Sequence, residues 1–600
     1  MILVFGGTTE GRKTIETLEE GQGTYFYSTK TGEQDVTLHH GQRIDGALDG
    51  EAMHRFCREH DIRLLIDAAH PFAIRLHQTV TDIAASLQIP AIRYERIFPP
   101  RDEDILWIDD YEDIPHDIHT LLATTGVQSI TRLKPLEAEG MKIYYRILPR
   151  ESSVALARKQ GATDEQLCYY QDGNSIDIDA EAILLKESGL SGGFPEKVEA
   201  ARQRGMRIIA LKRPQLPTAD CQLSTVNGPY GLRRAVERLL PDFYPLHSGL
   251  TTGTCATAAA IAATLQLLKK ESPQEVDVLL PNGETIPVPV GYGDGHAYCI
   301  KDSGDDPDVT KGIEVRASVQ PSDTFEILGG EGVGTFTLPG FDYPPGEPAI
   351  NKGPREMIRN NVMKVAVQPW SLVPQVSTNS SLFTLHSSLK ITISVPGGEE
   401  MARRTFNPRL GIEGGISIIG VSGIIKPFSE EAFVESIRKC MEVAKASGTE
   451  RVVINSGAKS ERFVRALYPD LPRQAFVEYG NYIGETLKIA HDLGIRQVTL
   501  GVMLGKAVKL AEGQLDTHSK KGTMNLAFIR QMLEEANINL PISDGQLTLA
   551  RELWDRIPAE HIESFCHVVL RHCLQHCQPL LPNGELTILL IADDGTIHSL

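Results

Sequence analysis

Two patterns of hydrophobic and polar positions alternate over the first 245 residues. Short apolar runs rich in β-branched and aromatic residues predict strands, whereas apolar positions three and four apart predict helices such as 11–20 and 73–87. The predicted strands are ILVFG, TYFYST, RLLIDAAH, AIRYER, TLLATTG, IYYRILP, AILLKES and RIIALKRP. This alternation predicts an α/β fold with two Rossmann-like parallel-sheet subdomains, about 1–118 and 119–245, and a cleft between them.

The pattern changes near Pro245, where a short linker leads into a second module. The stretch LHSGLTTGTCA opens an alanine-rich helix, and loops punctuated by glycine and proline follow it. Strand–helix alternation then resumes with GISIIGVSGI, a helix over 430–447, RVVINSG and VTLGVMLGKAVKLAEG. We therefore predict an α+β module over 246–600, with subdomains of about 246–410 and 411–600, the latter being its C-terminal α/β part.

Composition and charge exclude several classes of protein. No apolar run reaches the ~20 residues of a membrane span, and the N-terminus has no signal-peptide pattern, so we expect a cytoplasmic protein without a membrane partner. The net charge of −18 argues against a nucleic-acid partner. Residues 1–245 have 28 basic and 37 acidic residues and the rest have 32 and 41, so each part carries −9. An anionic substrate therefore requires local clusters of arginine and lysine.

Neither cluster of potential metal ligands predicts a metal site. Nine scattered cysteines form no disulfide framework, which fits reducing cytosol. In CHVVLRHCLQHC the cysteines fall on an apolar stripe with helical spacing, so a buried helix is favoured over metal binding. The segment KDSGDDPDVTKG has Asp302, Asp305, Asp306 and Asp308 but lacks the pattern of a calcium loop.

The turn after the first strand suits a phosphate group. Its glycines allow close approach, its hydroxyls donate hydrogen bonds, and the following helix offers free N–H groups. The residues of this turn are Gly6, Gly7, Thr8, Thr9 and Gly11. The second strand ends in Ser28, Thr29 and Lys30, where an NAD site usually has an acidic residue. These donors favour NADPH over NADH.

Three further stretches, IDAAHPFA, LLKESGLSGGFPEKVEAAR and ALKRP, complete an ordered set over residues 1–245. With this set the region resembles the precorrin-6A reductases of the CbiJ/CobK family. The resemblance implies reduction of one double bond of a tetrapyrrole macrocycle by hydride transfer from NADPH or NADH. It also implies that Ser188 and Gly189 face the cofactor together with the first glycine turn. His70 and Lys186, at strand ends, are the candidate catalytic residues.

The second module resembles the cobalt-precorrin-5B C1-methyltransferases of the CbiD family. The matching stretches are GLTTGTCA, SGDDPDVT, EGVGTFT, PGEPAIN, NPRLGIEGGISIIG, GNYIGETL and KLAEGQLDTHS. The resemblance implies methyl transfer from S-adenosyl-L-methionine to a ring carbon. The candidate cofactor-binding residues are Thr251, Thr252, Gly253 and Thr254. Carboxylates near the sulfonium cation are expected, and Asp305 is the candidate catalytic residue of this module.

The two resemblances together predict a bifunctional enzyme of cobalamin biosynthesis. The C-terminal half is expected to convert cobalt-precorrin-5B to cobalt-precorrin-6A, and the N-terminal half to reduce that product to cobalt-precorrin-6B. One alternative is a nicotinamide-dependent reductase fused to a non-catalytic corrinoid-binding module. A second is a scaffold in which one half has lost its activity and only binds. Because the substrates carry several carboxylates, we expect basic side chains at each site. These substrate-binding candidates are Arg146, Arg150, Lys212 and Arg213 in the first half and Arg355 and Arg409 in the second.

Overall fold

The chain forms two compact units. The first unit comprises Met1–Ser248 and Asp277–Pro287, and the second comprises Gly249–Val276 and Val288–Leu600. The computed structural model describes residues 1–30, 34–169, 178–215, 223–367, 389–518, 525–540 and 550–600; Ser519, which ends the stretch KLAEGQLDTHS, lies outside these ranges. Within them, no helix is both long and apolar enough to cross a membrane.

Two six-stranded parallel sheets form the framework of the first unit, as the strand–helix alternation predicts. The strands are β1 (Ile2–Phe5), β2 (Tyr25–Thr29), β3 (Gly41–Asp45), β4 (Leu64–Asp67), β5 (Ala91–Tyr94), β6 (Leu106–Ile108), β7 (Thr120–Ala123), β8 (Lys142–Ile147), β9 (Leu167–Tyr169), β10 (Ala182–Lys186), β11 (Arg207–Leu211) and β12 (Leu223–Val226). The helices are α1 (Thr9–Glu19), α2 (Gly50–Glu59), α3 (Ile74–Leu87), α4 (Ile130–Ala138), α5 (Glu151–Lys159), α6 (Phe194–Gln203) and α7 (Pro229–Leu239). The central strands are apolar on both faces because helices cover both sides of each sheet.

The two sheets repeat one topology. The first contains the order β5-β4-β1-β2-β3, and the second contains β11-β10-β7-β8-β9. A sixth strand joins each, since β12 pairs with β5 and β6 pairs with β11. In each sheet the direction of the connections reverses beside the first strand of the repeat, between β1 and β4 and between β7 and β10. Ligands of open α/β sheets bind outside the carboxyl ends of the strands at such a reversal.

The second unit combines a mixed sheet with a C-terminal α/β sheet. The remaining strands of the chain are β13 (Gly249–Leu250), β14 (Glu275–Leu279), β15 (Thr285–Pro289), β16 (Gly291–Gly293), β17 (His296–Ile300), β18 (Glu314–Pro321), β19 (Glu326–Gly329), β20 (Thr335–Phe336), β21 (Leu389–Ser394), β22 (Ile412–Glu413), β23 (Ile424–Ile425), β24 (Arg451–Asn455), β25 (Phe476–Glu478), β26 (Gln497–Met503), β27 (Glu585–Ile591) and β28 (Ile597–His598). The mixed sheet has the order β16-β17-β18-β21-β19, and the C-terminal sheet has the order β25-β24-β26-β27-β28, parallel except for β28.

The helices of the second unit cover both sheets. They are α8 (Thr252–Lys269), α9 (Lys352–Val367), α10 (Gly398–Ala402), α11 (Glu430–Ala446), α12 (Ala458–Leu467), α13 (Ile483–Asp492), α14 (Leu504–Ala511), α15 (Leu526–Glu535), α16 (Ala550–Trp554) and α17 (Ile562–Cys577). The small residues of α8 are buried as it packs against α9, β17 and β18. The predicted stripe on α17 is confirmed, because Cys566, Cys573 and Cys577 are all buried in the core.

A short hairpin of β14 and β15 completes the first unit. The sequence assigns residues 277–287 to the second module, but the structure groups them with the first. The carboxylate of Glu284 accepts hydrogen bonds from the backbone N–H groups of Tyr230 (2.9 Å) and Gly231 (3.1 Å), in the first turn of α7. Glycine at residue 228 leaves room for this carboxylate, because a Cβ there would lie 1.9 Å from the Glu284 side chain. Glu284 therefore caps a helix whose own N-cap residue has no side chain to do so.

Candidate active sites

A clasp of three side chains and one backbone carbonyl joins the carboxyl ends of the two parallel sheets in the first unit. Arg96 Nε donates to Glu10 Oε2 (2.8 Å), and its Nη1 donates to the carbonyl oxygen of Ser188 (2.8 Å). The Ser191 hydroxyl donates to the same Glu10 carboxylate. Burial opposes ionisation of Glu10, but the hydrogen bond from Ser191 and the charge of Arg96 lower its pKa. The helix after the first glycine turn is thereby tied to the loop after β10.

Asp67, at the carboxyl end of β4, organises a buried polar network beside this clasp. His77 Nδ1 lies 2.5 Å and Arg93 Nη1 lies 2.9 Å from its carboxylate. His77 Nε2 lies 3.0 Å from the carbonyl oxygen of His70. Both ring nitrogens of His77 therefore lie within hydrogen-bond distance of an acceptor oxygen. The network holds the backbone at His70 in a fixed position.

The His70 ring is neutral. Its Nδ1 accepts a hydrogen bond from the backbone N–H of Phe72 (3.2 Å), so the ring proton is on Nε2. Burial, together with the positive charges of Arg96 and Lys186, lowers the pKa of His70 to about 3. At neutral pH His70 can therefore donate a hydrogen bond, but it is not a cation.

Lys186, at the carboxyl end of β10, has an unusually free ammonium group. Its Nζ lies 5.0 Å from the centroid of the Phe72 ring, and within the described ranges it has no hydrogen-bond or ion-pair partner. Burial lowers its pKa. A desolvated ammonium without an anion gives up a proton more readily than a solvated one.

Further basic residues make the cleft locally positive. Lys197 donates to the carbonyl oxygen of Gly192 (3.1 Å), and its pKa is lowered by burial and then by the charges of Arg146 and Arg96. Arg146 is only 5% exposed. A chain with a net charge of −18 thus gathers cations where the carboxyl ends of the two sheets meet, and such a local field favours anionic ligands.

The repeated topology produces two equivalent glycine turns, and they differ in their contacts. The Gly7 amide donates to Tyr27 Oη (3.0 Å) and to Gln34 Oε1 (3.1 Å). In the second turn, Thr124–Gly126, the amides of Thr125 and Gly126 donate to no group in the part of the chain that the structure describes. Sequence reasoning missed this turn, although TLLATTG repeats the strand-then-glycine pattern of ILVFGGTT.

In the second unit, the turn before α8 is held by hydrogen bonds to another segment of the protein. Thr252 Oγ1 accepts from the Ile419 amide (2.9 Å) and lies within hydrogen-bond distance of the Ser417 and Ile419 carbonyl oxygens. Thr254 Oγ1 donates to the carbonyl oxygen of Gly423 (2.6 Å). Cys255 is fully buried. These side chains anchor the helix to the segment 417–423. The hydroxyls of Thr252 and Thr254 are therefore already hydrogen-bonded within the protein.

The C-terminal sheet brings a second polar group together outside β24, β25 and β26. β24 ends at Asn455, and Gly457 follows in a conformation with φ +139°. β25 ends at Glu478, whose carboxylate lies 3.9 Å from Arg409 Nη2, whereas Arg409 Nη1 lies 2.7 Å from Glu461. Burial raises the pKa of Glu478 even though Arg409 opposes the shift. Sequence reasoning missed Glu478, because a single carboxylate in VEYGN forms no motif.

Comparison with known proteins assigns each part of the chain to a family. Residues 1–228 match the family model "Precorrin-6x reductase CbiJ/CobK", and residues 242–427 match the model "CbiD". A cobalt-precorrin-5B C(1)-methyltransferase of Prosthecochloris aestuarii is 41% identical over 366 residues, which cover 59% of this chain and 95% of that protein. The corresponding protein of Thermus thermophilus is 42% identical over 352 residues, which cover 57% and 90%.

The chain belongs to the cobalt-precorrin-5B C(1)-methyltransferase family. It is a fusion, since its first 228 residues match the reductase family. Two solved structures are also similar. The cobalamin biosynthesis protein cbiD of Archaeoglobus fulgidus is 30% identical, with coverage of 47% of this chain and 84% of that one and a TM-score of 0.26. A CobK precorrin-6A reductase is 18% identical, with coverage of 40% and 96% and a TM-score of 0.32.

In the CbiD-family part, the predicted basic and acidic site residues have partners within the protein. Arg355 donates to Glu347 (3.0 Å) and to the carbonyl oxygen of Ile350 (2.9 Å). Arg409 contacts Glu461 and Glu478, as described above. In the aspartate segment, Asp308 pairs with Lys301, and Asp305 is exposed on the same loop. No group of three or more potential metal ligands occurs in the described ranges.

In the reductase-family part, some predicted residues lie in the cleft and others do not. Five of the predicted residues belong to or adjoin the positively charged group that contains Arg96 and Lys197. They are His70, Lys186, Ser188, Gly189 and Arg146. Ser28 and Thr29 are buried, Thr29 Oγ1 lies 3.4 Å from the Asp45 carboxylate, and Lys30 and Arg150 are exposed. Lys212 pairs with Asp109 (2.8 Å). Arg213 stacks on Phe98, with its guanidinium carbon 3.7 Å from the ring centroid.

Proposed function

We propose that this protein is a bifunctional enzyme of cobalamin biosynthesis. Its CbiD-family part transfers a methyl group from S-adenosyl-L-methionine to C1 of cobalt-precorrin-5B, which gives cobalt-precorrin-6A. Its reductase part then reduces cobalt-precorrin-6A to cobalt-precorrin-6B with a nicotinamide cofactor. The observation that carries the proposal is the 41% identity to a cobalt-precorrin-5B C(1)-methyltransferase over 95% of that protein's length.

In the reductase part, Lys186 is the proton donor. Reduction of a carbon–carbon double bond needs a hydride at one carbon and a proton at the other, and a bound nicotinamide supplies the hydride. Lys186 supplies the proton, because its buried ammonium has no anionic partner in the described ranges and its pKa is lowered. The neutral His70 ring, with its proton on Nε2, orients the substrate by a hydrogen bond.

The cations around Lys186 hold the carboxylates of the macrocycle. Arg96 and Lys197 lie where the carboxyl ends of the two sheets meet, and both act on the electrostatics of the cleft. Arg96, whose Nε and Nη1 already donate to Glu10 and Ser188, contributes its positive charge to the attraction rather than a paired contact. The substrate is thereby held with its ring facing Lys186.

The nicotinamide cofactor binds at the second glycine turn. The free amides of Thr125 and Gly126 suit a diphosphate, whereas the Gly7 amide is engaged by Tyr27 and Gln34. Arg146 is the penultimate residue of the neighbouring strand β8, at a position equivalent to Thr29 in the first sheet. An arginine at this position accommodates the 2′-phosphate of NADPH. NADPH is therefore the preferred reductant.

Anaerobic turnover followed by mass spectrometry tests both activities in the full-length protein. With cobalt-precorrin-5B and S-adenosyl-L-methionine, the substrate mass is expected to rise by one methyl group. Addition of NADPH is then expected to add two hydrogens. If the macrocycle binds but gains no methyl group, the CbiD-family part is a non-catalytic corrinoid-binding module, and the proposal for that part is wrong.

A further inference from the structure

The C-terminal sheet contains a strand–turn–helix–strand unit with the layout of a nucleoside-binding site. The chain leaves β24, passes through α12 to β25 on one side of β24, and returns through α13 to β26 on the other side. The connections therefore reverse between β24 and β26. A crevice opens outside the carboxyl ends of parallel strands at such a reversal.

The turn at the carboxyl end of β24 leaves room for a ligand. Asn455 is fully buried, and its side chain fixes the turn by accepting from the Gly457 amide (3.0 Å) and donating to the carbonyl oxygen of Val477 (3.3 Å). Gly457 has φ +139°, which side chains rarely allow. A Cβ at this position would lie 3.2 Å from Glu478 Oε1. The glycine thus keeps open the space between the turn and this carboxylate.

Glu478 is a carboxylate without a hydrogen-bond donor. Within the described ranges its one ionic contact is with Arg409 Nη2, at 3.9 Å, and no N–H or O–H group donates to it. Arg409 is directed to Glu461 instead, at 2.7 Å, and Arg465 also pairs with Glu461, at 3.2 Å. The Glu478 side chain is 27% exposed, so a ligand can reach it. A half-buried carboxylate costs free energy until donors satisfy it.

We propose that Glu478 binds the ribose hydroxyls of the adenosyl group of the methyl donor, with the Asn455–Gly457 turn beside the nucleoside. The inference rests on the proposed methyltransferase activity and locates the donor site of that activity. Glu478 follows Asn455 by 23 positions (478 minus 455) and ends the adjacent strand. In strand–turn–helix–strand nucleotide sites, an acidic residue about 20 positions on accepts hydrogen bonds from the ribose.

The chemistry of this site fits an adenosyl group better than a phosphate. Two ribose hydroxyls supply the two donors that the Glu478 carboxylate lacks. A negative carboxylate repels phosphate but attracts the sulfonium cation of S-adenosyl-L-methionine. The turn before α8, the alternative position for the donor, has its hydroxyls bonded to the chain's own backbone.

Calorimetry of ligand binding to the full-length protein tests the inference without measuring catalysis. The probes are S-adenosyl-L-homocysteine and its 2′,3′-dideoxy analogue, which has no ribose hydroxyls. For the unaltered protein, loss of the hydroxyls is expected to weaken binding about tenfold to hundredfold, the range for hydrogen bonds to a charged group. Glu478→Gln is expected to weaken the binding of S-adenosyl-L-homocysteine by a similar factor. It is expected to change the binding of the dideoxy analogue hardly at all. Glu485→Gln, an exposed change on α13, is the matched control and is expected to alter neither affinity.

The outcomes separate this inference from the proposed function. If the unaltered protein binds neither probe, the methyltransferase proposal itself fails. If it binds S-adenosyl-L-homocysteine and Glu478→Gln binds both probes as tightly as the unaltered protein does, only the position of the site is wrong. Equal weakening of both probes by Glu478→Gln also overturns the ribose contact. Glu478→Asp, which keeps the charge, provides the same comparison should Glu478→Gln fail to fold.

Discussion

At the scale of single residues, the role of a charged side chain depends on whether an oppositely charged group lies beside it. Lys186 and Lys212 both lie at carboxyl ends of strands in one sheet, and the sequence singles out both. Lys212 pairs with Asp109, a contact worth about 0–1 kcal/mol at a surface. Lys186 has no anionic partner in the described ranges, and burial lowers its pKa. The same residue type thus forms a surface ion pair in one place and, in the function that we propose, donates a proton in the other.

Replacement of Lys186 by methionine removes the proton donor and keeps the side-chain length. We expect kcat for cobalt-precorrin-6A reduction to fall by about 10²-fold or more, the usual contribution of a general acid, with the Kd for NADPH unchanged. The kcat of the unaltered enzyme is expected to fall as pH rises through the lowered pKa of Lys186, because only the ammonium form donates. Stopped-flow rates across a pH series check both points, with the exposed Lys159→Met as control. An unchanged pH profile in Lys186→Met would assign the proton to another group.

At the scale of elements, equivalent turns and helix starts differ in what they can bind. The first glycine turn and the turn before α8 both look like ligand sites in the sequence. In the structure, the Gly7 amide donates to Tyr27 and Gln34, and the Thr254 hydroxyl donates to the carbonyl oxygen of Gly423. In the turn at Gly126, by contrast, the amides of Thr125 and Gly126 donate to no group in the described residues, and beside Gly457 the Glu478 carboxylate accepts from no donor in them.

Gly7 and Gly126 offer a matched pair of substitutions in the two repeats. Their φ angles are +89° and +86°, and a Cβ at either would meet nothing within 4 Å, so alanine strains both turns equally. We expect Gly126→Ala to weaken the binding of NADPH about tenfold or more. The methyl group that alanine adds would lie where, in the proposed site, the diphosphate approaches the backbone. Gly7→Ala is expected to leave the affinity unchanged. Fluorescence titration with NADPH measures both, and the opposite ranking would place the cofactor at the first turn.

Thr252 tests whether the turn before α8 is structural. Thr252→Val removes the hydroxyl that bonds to residues 417–419 and leaves backbone groups unsatisfied. We expect the free energy of unfolding to fall by about 1–3 kcal/mol, as measured by urea denaturation followed by circular dichroism. Calorimetry is expected to show unchanged affinity for S-adenosyl-L-homocysteine. A large loss of affinity in a stable variant would return the cofactor to this turn.

The sequence predicted the elements better than the sites. The eight strands read from 1–245 are present, because apolar runs buried on both faces have a strong local signal. His70, Lys186 and Arg146 were also singled out and lie at the cleft. Glu478 was missed, because the lack of a donor to its carboxylate depends on Arg409 turning to Glu461, far away in sequence. Such pairings between distant residues leave no local pattern.

At the scale of the whole molecule, the two compact units do not correspond to two uninterrupted stretches of chain. The first unit includes residues 277–287, although the family match of the methyltransferase part begins at residue 242. Glu284 supplies from this hairpin the cap that α7 lacks. A fragment of residues 1–245 would therefore lose part of its own unit.

Glu284→Ala measures the importance of this cap. We expect amide hydrogen exchange at Tyr230 and Gly231 to accelerate about fivefold, which corresponds to about 1 kcal/mol, a typical loss for a helix cap. Exchange in α1, within the same unit, is expected to change less. Glu275→Ala, an exposed change at the base of the hairpin, is the control. Unchanged exchange in α7 would show that backbone N–H groups there find other acceptors.

The position of the hairpin also has a consequence for synthesis on the ribosome. The last residue of the first unit before the hairpin is Ser248, and the unit ends at Pro287, which is 39 residues later (287 minus 248). At about 5–20 residues per second, translation of those 39 residues takes roughly 2–8 seconds. During that interval the nascent reductase has its strands and helices but not the carboxylate that caps α7. The gene order thus delays completion of the first enzyme until the ribosome is already translating the second.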